Sequence, residues 1–293
     1  MNQCKLIMFD LDGTALLQDK INISPRLLAA LERAHRTGIH IVPITGRPYI
    51  FLPPILRTDL PWKEICVLNN GGEYRRFSDG KIIDSAHMPY YDAKQIIELA
   101  AKYFTPIELT VNDKIMMTEA DRDRLCSFHI PALQHHIDHD LMAHGHFADD
   151  LNQYAEENCP MVEKLTMPYV PPKFRRALFE EINRLPVSCV WGSPNGIEVT
   201  ASEATKGNGL LWVCRYFDIT PEACMAFGDS GNDVSMLKLA GMGVAMGNAP
   251  DPVKDAADLI TDTNMEDGVA KVIEKYLLNQ YISDGRNTNE HNV

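Results

Sequence analysis

The chain has 293 residues and a formal net charge of −12, and 45% of its residues are hydrophobic. This size suits one large globular domain or two smaller ones, and the negative charge argues against nucleic acids and anionic membranes as partners. The sequence contains no apolar run of about 18 residues, the length that spans a membrane, and we expect no export leader. Seven scattered cysteines without a CxxC pair are typical of free thiols, so we expect a cytoplasmic protein.

The first element is a short apolar run, Leu6–Phe9, which ends at Asp10 and is followed by Asp12 and Gly13. A continuous run of this kind predicts a strand buried on both faces of a parallel sheet. Ligands of such sheets bind at the carboxyl ends of the strands. Two carboxylates that lose water there need a positive partner, and a divalent cation is the simplest one. Because Asp12 lies in the turn, its side chain can serve a different purpose from that of Asp10.

The next elements alternate between helix and strand. Ser24 and Pro25 predict a helix start, with serine as the N-cap and proline in the first turn, and Gly38 ends this helix. Buried strands are then predicted within 39–47 and 64–72. Polar residues close both strands: Thr45, Gly46 and Arg47 end the first, and Asn69 and Asn70 end the second. The alternation predicts βαβ units and a parallel sheet.

The pattern changes after about residue 80 and returns near residue 188. The middle segment is rich in histidine and proline, with helical stretches at 92–104 and 172–184, whereas later residues again show buried strands within 223–233 and 243–249. A final amphipathic helix is predicted over 268–281. We therefore predict an α/β protein with these parts: a discontinuous parallel-sheet core domain over 1–83 and 188–293, an inserted domain over 84–187, and a flexible tail over 283–293.

Four polar clusters fall at predicted strand ends or just before a helix. They are Asp10 with Asp12, Thr45, Lys206, and Asp229 with Asp233. Phosphoryl transfer requires these parts: carboxylates hold Mg²⁺ through oxygen, and a lysine and a hydroxyl neutralise and orient the phosphoryl oxygens. An aspartate placed in line can attack phosphorus and form an aspartyl-phosphate.

The motifs DLDGT, ITGR, TKG and GDSGND, in this order, resemble motifs I to IV of the haloacid dehalogenase superfamily. The C-terminal GVAMGNAPDPVK and AADLITDTNMEDGVAKVIE are very similar to the signature of its Cof-type branch, the type IIB capped phosphatases. The resemblance implies a Rossmann-like core with an inserted α+β type IIB cap that closes over the substrate. It also implies an Mg²⁺-dependent phosphoric monoester hydrolase.

The resemblance further implies a role for each matching residue. Asp10 is the expected nucleophile and an Mg²⁺ ligand, and Asp12 is the expected general acid and base, with its backbone carbonyl reaching the metal. Asp229 is the expected side-chain metal ligand. Phosphate is expected to contact Thr45, Lys206, Asn232 and the backbone amides of Leu11 and Gly46. Asp233 is expected either in the outer metal shell or paired with Lys206.

Two further residues are possible members of the site. Arg47 is expected to touch substrate or cap or to form a structural pair, and Asn70 is expected at the hinge or the mouth of the site. Residues 14–24 would form a hairpin flap beside it.

The stretch 135–147 carries His135 and His139 at a helical ligand spacing. A solvated cap surface is the favoured reading of that stretch over a zinc site.

The resemblance suggests sugar phosphates as substrates, with pyridoxal phosphate, flavin mononucleotide or nucleotides as other options. Phosphotransfer to a sugar, as in phosphosugar mutases of the same fold, is the alternative reaction, because the core motifs do not select the acceptor. A binding protein without turnover is a third hypothesis, against which the intact nucleophile and acid/base pair argue. The sequence leaves the oligomeric state open.

Overall fold

The computed structural model describes residues 4–158, 161–193 and 195–278, apart from the side chains of residues 132, 135, 139, 140, 143 and 278. The strands are β1 (Leu6–Phe9), β2 (His40–Pro43), β3 (Ile65–Leu68), β4 (Glu73–Arg76), β5 (Ile82–Ser85), β6 (Met88–Pro89), β7 (Glu108–Val111), β8 (Lys114–Thr118), β9 (Gly145–Ala148), β10 (Met161–Val162), β11 (Lys164–Met167), β12 (Val187–Trp191), β13 (Ile197–Ala201), β14 (Cys224–Gly228), β15 (Met242–Ala245) and β16 (Leu259–Ile260).

Helices connect these strands. They are α1 (Pro25–Arg36), α2 (Tyr90–Lys102), α3 (Glu119–Ser127), α4 (Pro131–His135), α5 (Met142–His144), α6 (Leu151–Asn158), α7 (Arg175–Ile182), α8 (Lys206–Tyr216), α9 (Val234–Leu239), α10 (Asp251–Lys254) and α11 (Gly268–Ile273). A wider helical turn, Glu274–Leu278, continues α11. The rest of the predicted last helix and the predicted tail over 283–293 lie outside the described residues.

A parallel sheet forms the centre of the molecule. Its strands follow the order β16-β15-β14-β1-β2, and each neighbouring pair is parallel. An isolated parallel bridge between Ile44 and Val67 brings β3 alongside β2. All four residues of β1 are fully buried, as a strand covered on both faces must be. The predicted α/β fold with a parallel-sheet core is confirmed.

The first helix illustrates how local sequence produces this arrangement. The Ser24 hydroxyl accepts the backbone N–H of Leu27, and Pro25 occupies the first helical position, as predicted. Leu27 and Leu31 are buried in the cluster that also contains Phe9 of β1. The apolar face of α1 therefore covers one face of the sheet and supports the strand that ends at Asp10.

A second sheet lies in the inserted segment. Its strand order is β12-β13-β11-β7-β8-β9, with antiparallel pairs except for the parallel pair β8-β9. Helices α2 and α7 contribute Ile96 and Leu178 to its buried core, alongside Leu165 of β11. This sheet has a hydrophobic core of its own, separate from that of the parallel sheet.

The inserted sheet extends further along the chain than we predicted. Strand β12 pairs with β13, which in turn pairs with β11, so residues 187–201 continue the inserted sheet. The predicted boundary at residue 188 therefore falls inside β12. We propose that the chain returns to the core domain after Ala201, just before α8.

The described helices include none that is long and apolar enough to cross a membrane.

Candidate active site

The carboxyl ends of β1 and β14 bring two of the predicted acids together. The strands are parallel neighbours with Phe9 opposite Phe227, and the backbone N–H of Asp10 donates to the carbonyl oxygen of Phe227 at 3.0 Å. Asp10 follows β1 and Asp229 follows β14, so both lie at the same edge of the sheet. The sheet topology thus joins residues that are more than 200 positions apart.

Lys206 connects this edge to α8. Its ammonium donates to Asp10 Oδ1 at 2.5 Å and to Asp233 Oδ1 at 2.6 Å, and its side chain is fully buried. Thr205 caps the helix by accepting the backbone N–H of Asn208. Burial alone would lower the pKa of Lys206, but the two carboxylates raise it, so the lysine stays a cation.

Asp10, Asp229 and Asp233 form a carboxylate cluster, with one oxygen of each lying within 4.8 Å of the others. Burial raises the pKa of Asp10 well above its ordinary value, and the neighbouring carboxylates of Asp233 and Asp229 add to this. Burial, assisted by Asp233, raises the pKa of Asp229 to about 7. Lys206 is one cation facing a cluster of three carboxylates. Clustered carboxylate oxygens are the ligands that a hard divalent cation prefers, so the residues fit such an ion.

Asp233 is held from both sides. Its Oδ2 accepts the backbone N–H groups of Asp229 and Ser230 at 2.9 Å each, while Oδ1 faces Lys206. Ser230 and Asp233 form a reciprocal capping box at this turn. Since both oxygens of Asp233 already have partners, this residue orients Lys206 and Asp229, which agrees with its predicted pairing to Lys206.

Asp12 has a different partner from Asp10. Its Oδ2 and Oδ1 accept from Arg47 Nε and Nη2 at 2.7 Å each, and Arg47 also donates to the carbonyl oxygen of Lys20 at 3.1 Å. Burial would raise the pKa of Asp12, but the Arg47 guanidinium outweighs burial and lowers it. Lys20 lies in the predicted hairpin flap, where Leu16 bridges Ile23 in antiparallel fashion.

The predicted phosphate-binding groups surround the same edge. Thr45 is buried, and its hydroxyl accepts the backbone N–H of Arg47 at 3.2 Å. Asn232 Nδ2 donates to Asn70 Oδ1 at 2.9 Å, which brings these two candidate residues into contact. Leu11, fully buried, follows Asp10 directly.

A family model described as haloacid dehalogenase-like hydrolase matches residues 7–273 of this sequence. The chain belongs to this family. The match spans the core motifs and the inserted segment, so the resemblance inferred from DLDGT, ITGR, TKG and GDSGND is confirmed.

Relatives agree with this family. The chain is 30% identical over 279 residues to a 5-amino-6-(5-phospho-D-ribitylamino)uracil phosphatase of Bacillus subtilis, covering 94% of this chain and 96% of the relative. It is 27% identical to a pyridoxal phosphate phosphatase of Escherichia coli, covering 94% and 99%. A solved subclass IIB sugar phosphatase of the superfamily superposes with a TM-score of 0.77 at 26% identity, covering 93% and 98%. This haloacid dehalogenase-like protein is a hydrolase of phosphate monoesters.

Three polar residues of this hydrolase lie at the site without having been predicted. Asn248 Nδ2 donates to the carbonyl oxygen of Gly13 at 2.9 Å and approaches Asp229 Oδ2 at 3.4 Å. Asn248 follows β15 closely, so its place after a strand could have identified it in the same way as the aspartates. Lys164 and Glu198 reach the site from the inserted sheet. Their sequence context gives no such signal, because it does not encode where that sheet meets the core.

The stretch 135–147 carries the histidines for which a solvated cap surface was favoured over a zinc site. His135 and His139 lie among the side chains outside the description, whereas His144 contacts the ring of Phe51 at a centroid distance of 6.1 Å. Among the described side chains, the group with metal-ligand spacing is the cluster of Asp10, Asp229 and Asp233.

Gly13 is expected to be essential to the geometry of this site. It has φ +76°, and a Cβ there would lie 2.3 Å from Asp229 Oδ2. Gly13→Ala therefore combines backbone strain of about 1–2 kcal/mol with a displaced Asp229. We expect phosphate release to fall about 100-fold, as measured by steady-state kinetics, because small displacements of reacting groups have effects of this size.

Gly38→Ala is the matched control for this substitution. Gly38 has φ +88°, yet nothing lies within 4 Å of a Cβ placed there. We expect a similar loss of thermal stability without a loss of activity. Equal activity of the two variants would contradict the close approach of Gly13 to Asp229.

Proposed function

We propose that this hydrolase releases phosphate from small phosphorylated metabolites in an Mg²⁺-dependent reaction, through an aspartyl-phosphate on Asp10. One observation carries the proposal: the buried ammonium of Lys206 is shared by Asp10 and Asp233, with Asp229 in the same cluster. A buried carboxylate next to a fixed cation is suited to attack phosphorus and to tolerate the charge that the phosphoryl oxygens bring.

The proposed reaction has two displacements at phosphorus. In the first, an Asp10 oxygen forms a bond to phosphorus while the bond to the ester oxygen breaks, and Asp12 gives that oxygen a proton. In the second, Asp12 takes a proton from water, whose oxygen attacks phosphorus and releases Asp10 with inorganic phosphate. Lys206 and the Thr45 hydroxyl orient the phosphoryl oxygens throughout.

The pair between Asp12 and Arg47 bears on the first step. Both Asp12 oxygens accept from Arg47, and this pair holds the carboxyl ionised. An ionised carboxylate can act as the base of the second step, whereas the acid role requires a proton. We infer that Asp12 must leave Arg47 before it protonates the leaving oxygen, and that the substrate or movement of the flap triggers this exchange.

Asp10, Asp229 and the backbone carbonyl of Asp12 are the groups that we propose to hold Mg²⁺. The ion would supply positive charge against the carboxylates and the phosphate. Asp233 supports this arrangement from outside by fixing Asp229 through its backbone N–H.

Removal of divalent cations is expected to abolish phosphate release, and added Mg²⁺ is expected to restore it. Because the cation binds clustered carboxylates of the folded chain, it should also stabilise that chain by about 2.7 kcal/mol at 100 times its dissociation constant. Thermal melts with and without Mg²⁺ measure this effect independently of activity. Asp229→Asn should lose most of the Mg²⁺-induced shift. Full activity in excess EDTA would contradict the proposed cofactor.

Sugar phosphates are the substrate class that we favour. The relatives named above act on a phosphoribityl compound, pyridoxal phosphate and sugar phosphates, so a panel should contain all three kinds of ester. The experiment measures inorganic phosphate released from each ester in the presence of Mg²⁺. Absence of release from the whole panel, with folded protein, would overturn the proposed activity.

We also propose a cytoplasmic location. All six cysteines within the described residues are free, and five of them are buried. Free thiols are typical of proteins kept in a reducing compartment, which supports this location.

A further inference from the structure

An ion pair on the inserted sheet lies where that sheet meets the core. Lys164 Nζ and Glu198 Oε1 are 3.1 Å apart. Thr166 is the registered partner of Glu198 between β11 and β13, and Lys164 lies two residues from Thr166 on the same strand. Since strand residues two apart share a face, both charged side chains project from the same face of the sheet.

Both members of this pair also bind the core. Lys164 Nζ donates to the carbonyl oxygen of Gly46 at 2.6 Å, and Glu198 Oε2 accepts from Asn70 Nδ2 at 2.7 Å. A Cβ on Gly46 would lie 2.9 Å from Glu198 Oε2. The charged ends of Lys164 and Glu198 therefore approach Gly46 of the ITGR motif directly.

Fold stability is a poor explanation for this pair. The side chains of Lys164 and Glu198 are only 6% and 18% exposed. Burying two charges costs solvation that their attraction barely recovers, and well-packed apolar residues often stabilise such a position as well or better. A role in positioning explains the pair better, because charged hydrogen bonds fix direction as well as distance.

The hydrogen bonds continue from this pair to the phosphate site. Asn70 Oδ1 accepts from Asn232 Nδ2 at 2.9 Å. An unbroken path therefore runs from Gly46 through Lys164, Glu198 and Asn70 to Asn232. Its two ends, Gly46 and Asn232, are the groups expected to hold phosphate.

We propose that Lys164 and Glu198 are positioning residues, which hold Gly46 and Asn232 in their phosphate-binding arrangement when the inserted domain docks on the core. This inference rests on the proposed function. Neither residue needs to touch the substrate. When the domain lifts, the bonds from Lys164 to Gly46 and from Glu198 to Asn70 both break, so the phosphate site is complete only in the docked state.

The test is a double-mutant cycle with Lys164→Met, Glu198→Gln and the double variant. We measure kcat and KM for p-nitrophenyl phosphate, and the affinity for inorganic phosphate by calorimetry with Mg²⁺. Each single variant should lower kcat and weaken phosphate binding by at least about 10-fold, as expected when fixed groups lose their orientation. The double variant should be about as impaired as the worse single one, because the two residues belong to one network.

A second ion pair of the inserted domain provides the control. Lys102 and Glu181 are 2.7 Å apart on α2 and α7. Lys102→Met with Glu181→Gln should leave kcat and phosphate affinity unchanged. Unchanged kcat and phosphate affinity in both Lys164→Met and Glu198→Gln would overturn the proposal, and so would additive losses that merely follow lowered melting temperatures.

The two proposals fail in different ways. A wild-type chain that binds phosphate but cleaves no ester would overturn the proposed activity, while phosphate affinity of the variants would still decide the positioning role. A wild-type chain that cleaves phosphate esters, and whose Lys164→Met and Glu198→Gln variants keep its kcat and phosphate affinity, would overturn the positioning role alone.

Discussion

Asp10→Asn is expected to reduce phosphate release by at least about 10⁴-fold, the usual size of the loss when a nucleophile is removed. The amide keeps the shape of the side chain but cannot attack phosphorus. Stability should not fall in the metal-free protein, because the cluster of Asp10, Asp229 and Asp233 loses one of its three carboxylates and Lys206 keeps its bond to Asp233. Single-turnover assays and thermal melts of the metal-free variant measure the two effects.

Asp19→Asn is the control for this prediction. Asp19 is exposed in the flap, where its carboxylate accepts the backbone N–H groups of Ile21 and Asn22. An asparagine can accept the same bonds, so activity should persist. If Asp10→Asn retained more than a few per cent of wild-type activity, another group would have to be the nucleophile and the proposed intermediate would be wrong.

The sequence predicted the core of the site because parallel sheets follow simple rules. An apolar strand followed by an acid places that acid at the carboxyl edge, and the parallel pairing of β1 with β14 brings Asp10 and Asp229 together there. Lys206 was identified by its place before an apolar helix and by its order among the four motifs. Local sequence patterns, combined with the general rules for parallel sheets, therefore place these residues together.

The contacts of the inserted domain could not be predicted in this way. Lys164 and Glu198 lie on strands in which apolar and polar residues alternate, a pattern that indicates a half-buried sheet. This local pattern does not show which part of the protein packs against the polar face. The same limit explains the boundary at residue 188. The short strands β12 and β13 resemble core strands in composition. Only the antiparallel pairing of β13 with β11, and of β12 with β13, assigns them to the inserted sheet.

The surroundings of Asp12 could be predicted from the sequence only in part. Its place in a turn predicted a role different from that of Asp10, and the structure gives it a different cation, Arg47. Arg47 was expected either to touch substrate or cap or to form a structural pair, and its bidentate bond to Asp12 is a pair of the second kind.

Lys206→Met is expected to abolish activity and to destabilise the metal-free protein by about 3–5 kcal/mol, the usual cost of leaving a buried charge unpaired. The substitution leaves Asp10 and Asp233 without their shared cation, although Asp233 keeps its two backbone donors. Denaturant unfolding of the metal-free variant measures the stability, and phosphate release with Mg²⁺ measures the activity. Lys238→Met, an exposed substitution on α9, should change neither.

A double variant separates the two roles of Lys206. Adding Asp233→Asn to Lys206→Met removes one of the uncompensated charges, while the asparagine oxygen can still accept the backbone N–H groups of Asp229 and Ser230. Stability should therefore recover in part, whereas activity should stay lost, because the cation that neutralises phosphate is still missing. If activity recovered together with stability, Lys206 would serve only to hold the carboxylates, and its proposed contact with the phosphoryl oxygens would be wrong.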